Sequence, residues 1–154
     1  MEFVYRHTQI GYTALLFTLP LVLGALYVFS LDNPDILAQV VFGLMGIPSA
    51  LIALFMHGMT VTVDDEYVSW HYGLGAFKKK IALEKIVDVE IIENTLAWGK
   101  GMQFTSKGAL YHVSGFRAVS LRVKTPWKKD KYILLGSDEP EVLRDVLLAQ
   151  LSKQ

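Results

Sequence analysis

The sequence predicts an α-helical transmembrane hairpin followed by an antiparallel β-domain that a C-terminal helix closes. Two long uncharged apolar segments lie in the first third of the chain, which indicates the hairpin. Apolar and polar residues then alternate in short runs from residue 58 onward, as in strands. A stripe of leucine and valine at helical spacing ends the chain, and it predicts an amphipathic helix.

The two apolar segments have the length and composition of membrane helices. Residues 12–29 and 37–56 carry no charged side chain, and each can cross a hydrocarbon core of about 30 Å. A polar turn containing Asp32, Asn33 and Pro34 separates them. The first segment does not fit a cleaved signal peptide, because its apolar run is too long and a second span follows directly. We predict a membrane anchor over residues 1–58, with helices at about 11–30 and 37–57.

The distribution of basic residues predicts the orientation of the anchor. Arg6 precedes the first helix, no lysine or arginine lies between Arg6 and Lys78, and the remaining 14 basic residues follow. The loop between the helices carries Asp32 and Asp35 but no basic residue. Because positive residues favour the cytoplasmic side, we expect a multi-pass protein of the cytoplasmic membrane with both termini in the cytoplasm.

Residues 59–154 are predicted to form the β-domain. Short alternating runs with brief turns indicate an antiparallel barrel or sandwich. The seven predicted strands are residues 60–63, 67–72, 77–83, 86–93, 110–113, 118–124 and 131–135. The glycine-containing stretch from 94 to 108 is predicted to be irregular.

The last segment, residues 138–152, is predicted to be a helix that covers the open end of the β-domain. Asp138 is a good N-cap, Glu141 completes a capping box, and Pro140 suits the first turn. The apolar stripe consists of Val142, Leu143, Val146, Leu147 and Leu151.

Seven strands followed by one helix resemble the pleckstrin-homology plan, and the two preceding helices make the chain similar to bacterial PH-domain membrane proteins. The motifs that carry the resemblance are Trp98-Gly99 and the segments 111–115, 118–123 and 136–143, in that order. The resemblance extends over about residues 60–152. It implies a pleckstrin-homology-like fold at a bacterial inner membrane, and it implies no reaction, because this fold carries many binding functions.

The residues give no sign of catalysis, of a cofactor or of a metal. The four histidines, His7, His57, His71 and His112, are far apart and show no metal-ligand spacing. There are no cysteines, which excludes disulfides and thiolate metal sites. The net charge from residue 60 to the end is only +2, too small to indicate a nucleic-acid partner. We therefore expect a protein that is not an enzyme.

The most unusual stretch of the β-domain is GLGAFKKK at residues 73–80, which combines a glycine turn, two apolar side chains and three lysines. Successive turns of an antiparallel meander alternate between its two ends, which brings this turn and the 94–108 loop to the membrane side. By the same alternation the segment 125–131 is also expected on the membrane side. The predicted membrane contacts are Leu74, Phe77, Lys78, Lys79, Lys80, Trp98, Lys100, Trp127, Lys128 and Lys129. The alternative is that the lysines only protect an edge strand from pairing.

Three functions therefore stay open. The first is a non-catalytic scaffold at the inner leaflet that binds a protein partner or associates with itself. The second is a sensor of anionic lipid in the bilayer, and a third reading is an accessory subunit of a transport or lipid-handling complex. Phosphoinositide recognition of the eukaryotic type is not expected, because the loop between the first two predicted strands is the acidic run Asp64, Asp65 and Glu66.

Overall fold

The structure, a computed structural model, describes residues 3–93, 101–105, 108–113, 116–126 and 130–153. These residues form two long helices, nine strands and a shorter C-terminal helix. The helices are α1 (Tyr12–Ser30), α2 (Ile36–Met56) and α3 (Pro140–Leu151). The strands are β1 (Tyr5–Ile10), β2 (Gly58–Val63), β3 (Tyr67–Tyr72), β4 (Ala76–Ala82), β5 (Ile86–Glu93), β6 (Gly101–Thr105), β7 (Gly108–His112), β8 (Arg117–Val123) and β9 (Lys131–Gly136).

Helices α1 and α2 form an antiparallel hairpin within one residue of the predicted bounds. Asp35 starts α2, since its Oδ1 accepts hydrogen bonds from the amides of Leu37 at 2.7 Å and Ala38 at 3.0 Å. The two helices touch where their residues are small: a Cβ on Gly46 would lie 2.5 Å from the Cβ of Ala25. This close approach holds the hairpin together by van der Waals packing.

The hairpin is long and apolar enough to cross a membrane. Helix α1 has 19 residues and α2 has 21, and the mean hydropathy over the most apolar 18-residue window is 1.9 in α1 and 2.0 in α2. Only 11% of the most apolar window of each helix is buried inside the protein. Neither helix is therefore the buried core helix of a globular domain, and their apolar side chains need an apolar environment.

The strand before α1 joins the hairpin to the β-domain. Strand β1 pairs antiparallel with β2 over its whole length, from Tyr5 opposite Val63 to Ile10 opposite Gly58. The helical hairpin thus connects two neighbouring strands, in the place of an ordinary turn. The sequence did not predict this strand, which lies in the stretch assigned to the anchor.

The nine strands form two sheets. The first has the order β1-β2-β3-β4 and the second the order β5-β8-β9-β7-β6. All pairs are antiparallel except β7 with β9, which run parallel from Ala109 opposite Ile133 to Tyr111 opposite Leu135. A single 3₁₀ turn, Leu83–Lys85, leads the chain from the first sheet to the second.

This topology corrects the predicted one in three ways. Two additional strands, β1 and β6, accompany the seven predicted runs, and one pair is parallel. Among the described strands no pairing joins the two sheets into a closed barrel. The hairpin, a two-sheet β-domain and a C-terminal helix are what the sequence and the structure have in common.

The core lies between the two sheets and under α3. Strand β3 points Val68, Trp70 and Tyr72 into it while its other side chains face outward, which is the expected alternation of a half-buried strand. The ring of Trp70 meets that of Tyr111 from the second sheet edge-on, with centroids 5.0 Å apart. Leu143 and Leu147 of α3 complete the same cluster and are fully buried.

Helix α3 begins differently from the prediction. Its N-cap residue is Glu139, Pro140 is in the first turn as expected, and no side chain caps the helix. The predicted capping box is wrong because both of its side chains bind elsewhere: Asp138 lies against His7 of β1, and Glu141 pairs with Arg117. The pairing with Arg117 lowers the pKa of Glu141. Of the predicted stripe, Val142 is 48% exposed and only Leu143 and Leu147 are fully buried.

We predict that Leu143→Ala and Leu147→Ala each lower the free energy of unfolding by about 2–5 kcal/mol, because each change leaves a cavity in the core. The measurement is denaturant unfolding of the full chain in detergent. Leu148→Ala is the matched control, because it removes the same atoms from an exposed position of the same helix. It should change the free energy of unfolding by no more than about 0.5 kcal/mol. Equal effects at positions 147 and 148 would contradict the packing of α3 described above.

Candidate functional site at the base of the helices

The turn between β3 and β4 lies against the end of α2. The amide of Gly73 donates a hydrogen bond of 2.8 Å to the carbonyl of Gly58, the first residue of β2. A Cβ on Gly73 would be 2.7 Å from the carbonyl oxygen of Phe55 and 2.8 Å from that of Leu54. Gly73 also has a positive φ of 46°, so both the space and the backbone conformation require glycine here.

Two apolar side chains project from this turn into the surroundings. Leu74 is 73% exposed and Phe77 is 57% exposed. Phe77 also has a φ of 52°, the only positive value at a non-glycine residue in the described part of the chain. A bulky residue in this left-handed conformation is strained. The backbone strain at Phe77 and the exposure of its ring thus occur at the same residue.

The three lysines follow on β4, which is the end strand of the first sheet. Lys78, Lys79 and Lys80 are all exposed. Because side chains alternate along a strand, Lys79 faces the opposite side from the other two. The ammonium group of Lys80 lies 4.2 Å from the centre of the Tyr67 ring, a cation–π contact. Lys80 also lies further from the turn than Lys78, since the strand rises by about 3.3 Å per residue. For both reasons the three lysines do not form one flat patch.

The other predicted membrane contacts, Trp98, Lys100, Trp127, Lys128 and Lys129, lie outside the described residues. Phe116, which the sequence analysis did not single out, is 56% exposed. No periodic signal marks it, because it follows β7 and immediately precedes β8.

The opposite end of β2 and β3 is acidic. Asp64 closes the turn between them, since its Oδ1 accepts hydrogen bonds from the amides of Glu66 at 2.9 Å and Tyr67 at 2.7 Å. Asp65, Glu66 and Glu84 line a shallow depression beside it. Within the described ranges no group of three or more histidine, aspartate or glutamate side chains is arranged to hold a metal ion. These acidic residues thus form a solvated turn, and the six residues of β2 separate it from the end of α2.

A polar cluster fastens β1 to the start of α3. The hydroxyl of Tyr5 donates a hydrogen bond of 2.8 Å to Glu139 Oε1. His7 Nε2 lies 2.7 Å from Asp138 Oδ1, and its Nδ1 lies 3.2 Å from Glu139 Oε1. Burial, together with the bond to Glu139, raises the pKa of Tyr5, so its hydroxyl stays a donor. These contacts hold the first strand and the last helix together.

An apolar pocket of about 190 Å³ lies where the hairpin meets the second sheet. We call it the junction pocket. Its apolar walls are Ala14 and Phe17 of α1, Ile52 and Met56 of α2, and Val113 just after β7. The polar side chains on its wall are Thr13 and His112, and His112 is almost fully buried. The sequence does not predict this pocket, because its walls come from three segments distant in the chain.

The geometry thus brings three features to one end of the β-domain: the turn with Leu74 and Phe77, the helix ends, and the junction pocket. The side chains that these features expose or enclose are mainly apolar. Searches of protein families and of curated proteins gave no family model and no curated sequence that matches this chain.

The strain at Phe77 gives a prediction. Phe77→Gly is expected to be about 1 kcal/mol more stable than Phe77→Ala, because glycine adopts a positive φ without steric cost. The measurement is thermal unfolding of the full chain in detergent, followed by tryptophan fluorescence. At Leu74, where φ is not positive, Ala should be at least as stable as Gly because glycine gains entropy in the unfolded chain. The same order at both positions would show that Phe77 is not strained.

Proposed function

We propose that this protein is a non-catalytic, membrane-anchored scaffold of the bacterial inner membrane. The two helices cross the bilayer, both termini are cytoplasmic, and the β-domain binds a protein partner or a second copy of the chain at the inner leaflet. The observation that carries the proposal is the direct connection of hairpin and sheet. The amide of Gly11 donates a hydrogen bond of 2.7 Å to the carbonyl of His57, so the strand pairing continues up to the helix bases.

This connection, unlike a flexible tether, fixes the orientation of the β-domain relative to the helices. A domain on a long linker samples many orientations, and its effective concentration at a surface depends on the linker length. Here β1 passes into α1 through one residue, Gly11, and α2 passes into β2 through one residue, His57. The sheet therefore has a fixed orientation relative to the helices. Such an arrangement suits a platform that presents one edge and one set of turns at a constant height above the membrane.

A pleckstrin-homology-like assignment belongs to the same proposal. The two packed sheets and the helix that buries Leu143 and Leu147 against them support it. The additional strand β1 and the parallel pair β7–β9 are departures from a simple antiparallel meander.

The crosslinking test uses photoreactive residues at exposed positions of the full chain in native membranes. We predict that Lys79, on the end strand of the first sheet, gives an adduct of defined mass with a protein. Coexpression of two differently tagged copies shows whether that protein is a second copy. Lys153, near the end of the chain, is the control position. Adducts with lipid alone at Lys79, or the same proteins at both positions, would contradict the scaffold.

A second function, contact with anionic lipid, is favoured by the turn with Leu74, Phe77 and the lysines. A lysine near an anionic leaflet contributes about 1 kcal/mol, so the three together give roughly 3 kcal/mol at most. That energy would hardly recruit a free domain. It is sufficient to bias the orientation of a domain that two helices already hold at the surface.

A depth measurement tests the lipid contact. The chain has no cysteine, so Leu74→Cys accepts a single fluorophore whose quenching by lipid-borne groups is read in nanodiscs with and without anionic lipid. We predict that changing Lys78, Lys79 and Lys80 to Glu lowers the depth in anionic nanodiscs, as does high salt through screening. Reversing Lys85, Lys124 and Lys153 makes the same change in net charge and should leave the depth unaltered. A label that reports bulk water in both kinds of nanodisc would exclude this function.

A further inference from the structure

The junction pocket is continuous with the apolar outer surface of the hairpin. Ala14 and Phe17 belong to the first turns of α1, while Ile52 and Met56 belong to the last turns of α2. Phe17 is 69% exposed, and its neighbour Leu16 is exposed to the same extent. The pocket is thus the place where the apolar helix surface passes beneath the β-domain.

The opposite wall belongs to the β-domain. His112 ends β7 and Val113 follows it, and both side chains are buried. Gly136, in the neighbouring strand β9, lets this segment approach closely, since a Cβ there would lie 2.4 Å from the Cβ of His112. The second sheet therefore fixes the position of this wall, and the shape of the pocket does not depend on the conformation of a single exposed side chain.

The size and lining of the pocket restrict its occupant. An enclosed apolar cavity of about 150 Å³ accepts a hydrocarbon such as benzene. The junction pocket, at about 190 Å³ and open on one side, therefore has room for a hydrocarbon segment. Pockets for whole small-molecule ligands usually measure about 300–1,000 Å³. An empty apolar space also forfeits the dispersion contacts of its walls. A short stretch of hydrocarbon chain fits these conditions.

We propose that the junction pocket binds part of an acyl chain of a phospholipid from the leaflet that faces the β-domain. The inference rests on the proposed membrane insertion of the hairpin and goes beyond the scaffold function. The helix residues on its walls lie at the ends of two apolar spans, where lipid is the solvent. The bound chain packs between Phe17 and Ile52 and reaches Val113, and it fills the gap between hairpin and second sheet.

The test uses the full chain in nanodiscs of phosphatidylethanolamine and phosphatidylglycerol that contain a phospholipid with a diazirine on its acyl chain. After photolysis, crosslinked residues are mapped by mass spectrometry. Lipid that merely surrounds the helices reacts with their outer faces. Lipid in the pocket also reacts with His112 and Val113, which belong to the β-domain, and this second adduct is the expected result.

Ala14→Phe fills the pocket from its α1 wall. It should abolish the adducts at His112 and Val113 and keep those on the outer helix faces. Ala50→Phe is the matched control, because Ala50 is an exposed alanine of α2 that does not line the pocket; it should leave both kinds of adduct unchanged. Thermal unfolding of both variants shows whether each is folded.

The outcomes separate the two proposals. Adducts confined to the helices of the wild-type chain would overturn the acyl-chain site while membrane insertion stands. Persistence of the adducts at Val113 in a folded Ala14→Phe variant would also overturn it. Absence of adducts on the helices would instead contradict membrane insertion itself. If Ala14→Phe does not fold, the wild-type crosslinks at His112 and Val113 decide alone.

Discussion

The hydrogen bond between Gly11 and His57 is the constraint on which the rest of the structure depends. It continues the pairing of β1 and β2 to the point where both strands become helices. The backbones are so close there that a Cβ on Gly11 would lie 2.9 Å from the carbonyl oxygen of Met56, and one on Gly58 would lie 2.9 Å from that of Gln9. Glycine is required where strands and helix ends converge, and Gly73 in the next turn obeys the same rule.

The apolar and charged groups are distributed unevenly along the direction of the first sheet. The exposed helix surfaces, the turn with Leu74 and the junction pocket lie at one end, and the Asp64 turn lies at the other, beyond the last residue of β2. The six residues of β2 span about 20 Å at the usual rise per residue. A carboxylate-rich end that far from the ends of the helices agrees with the proposed orientation, in which the acidic turn faces water and the helix end faces the bilayer.

The sequence predicts the features that depend on local signals. The bounds of the hairpin helices are predicted to within one residue, because an uncharged stretch long enough to span a membrane is visible directly in the sequence. The place of the Gly73 turn beside α2 follows from strand alternation alone, whereas its contact with lipid stays a prediction. Strand β1 has no such local signal. Its inward residues are Tyr5, His7 and Gln9, which give no apolar alternation. Its partner strand, β2, also lies beyond the hairpin in the sequence.

Other features depend on partners that no local pattern reveals. Asp138 has the sequence of an N-cap, but His7 from the other end of the chain binds its carboxylate. The parallel pair of β7 and β9 has β8 between its members in sequence. The junction pocket needs two helices and the end of β7 to exist at all. For these features the spacing along the chain says little, since the distances that matter are set by the packed sheets.

The position of the hairpin between two paired strands also determines the order in which the first sheet can be completed. A chain is synthesised from its N-terminus, so β1 exists before either helix, and its only described sheet neighbour, β2, follows residue 57. Closing a loop of that length by diffusion alone costs entropy. When the two helices pack against each other, they bring the ends of β1 and β2 together and so reduce this entropy cost. We therefore expect the helices to assemble before the sheet is completed, and a chain whose helices fail to associate would keep an unpaired edge on β2.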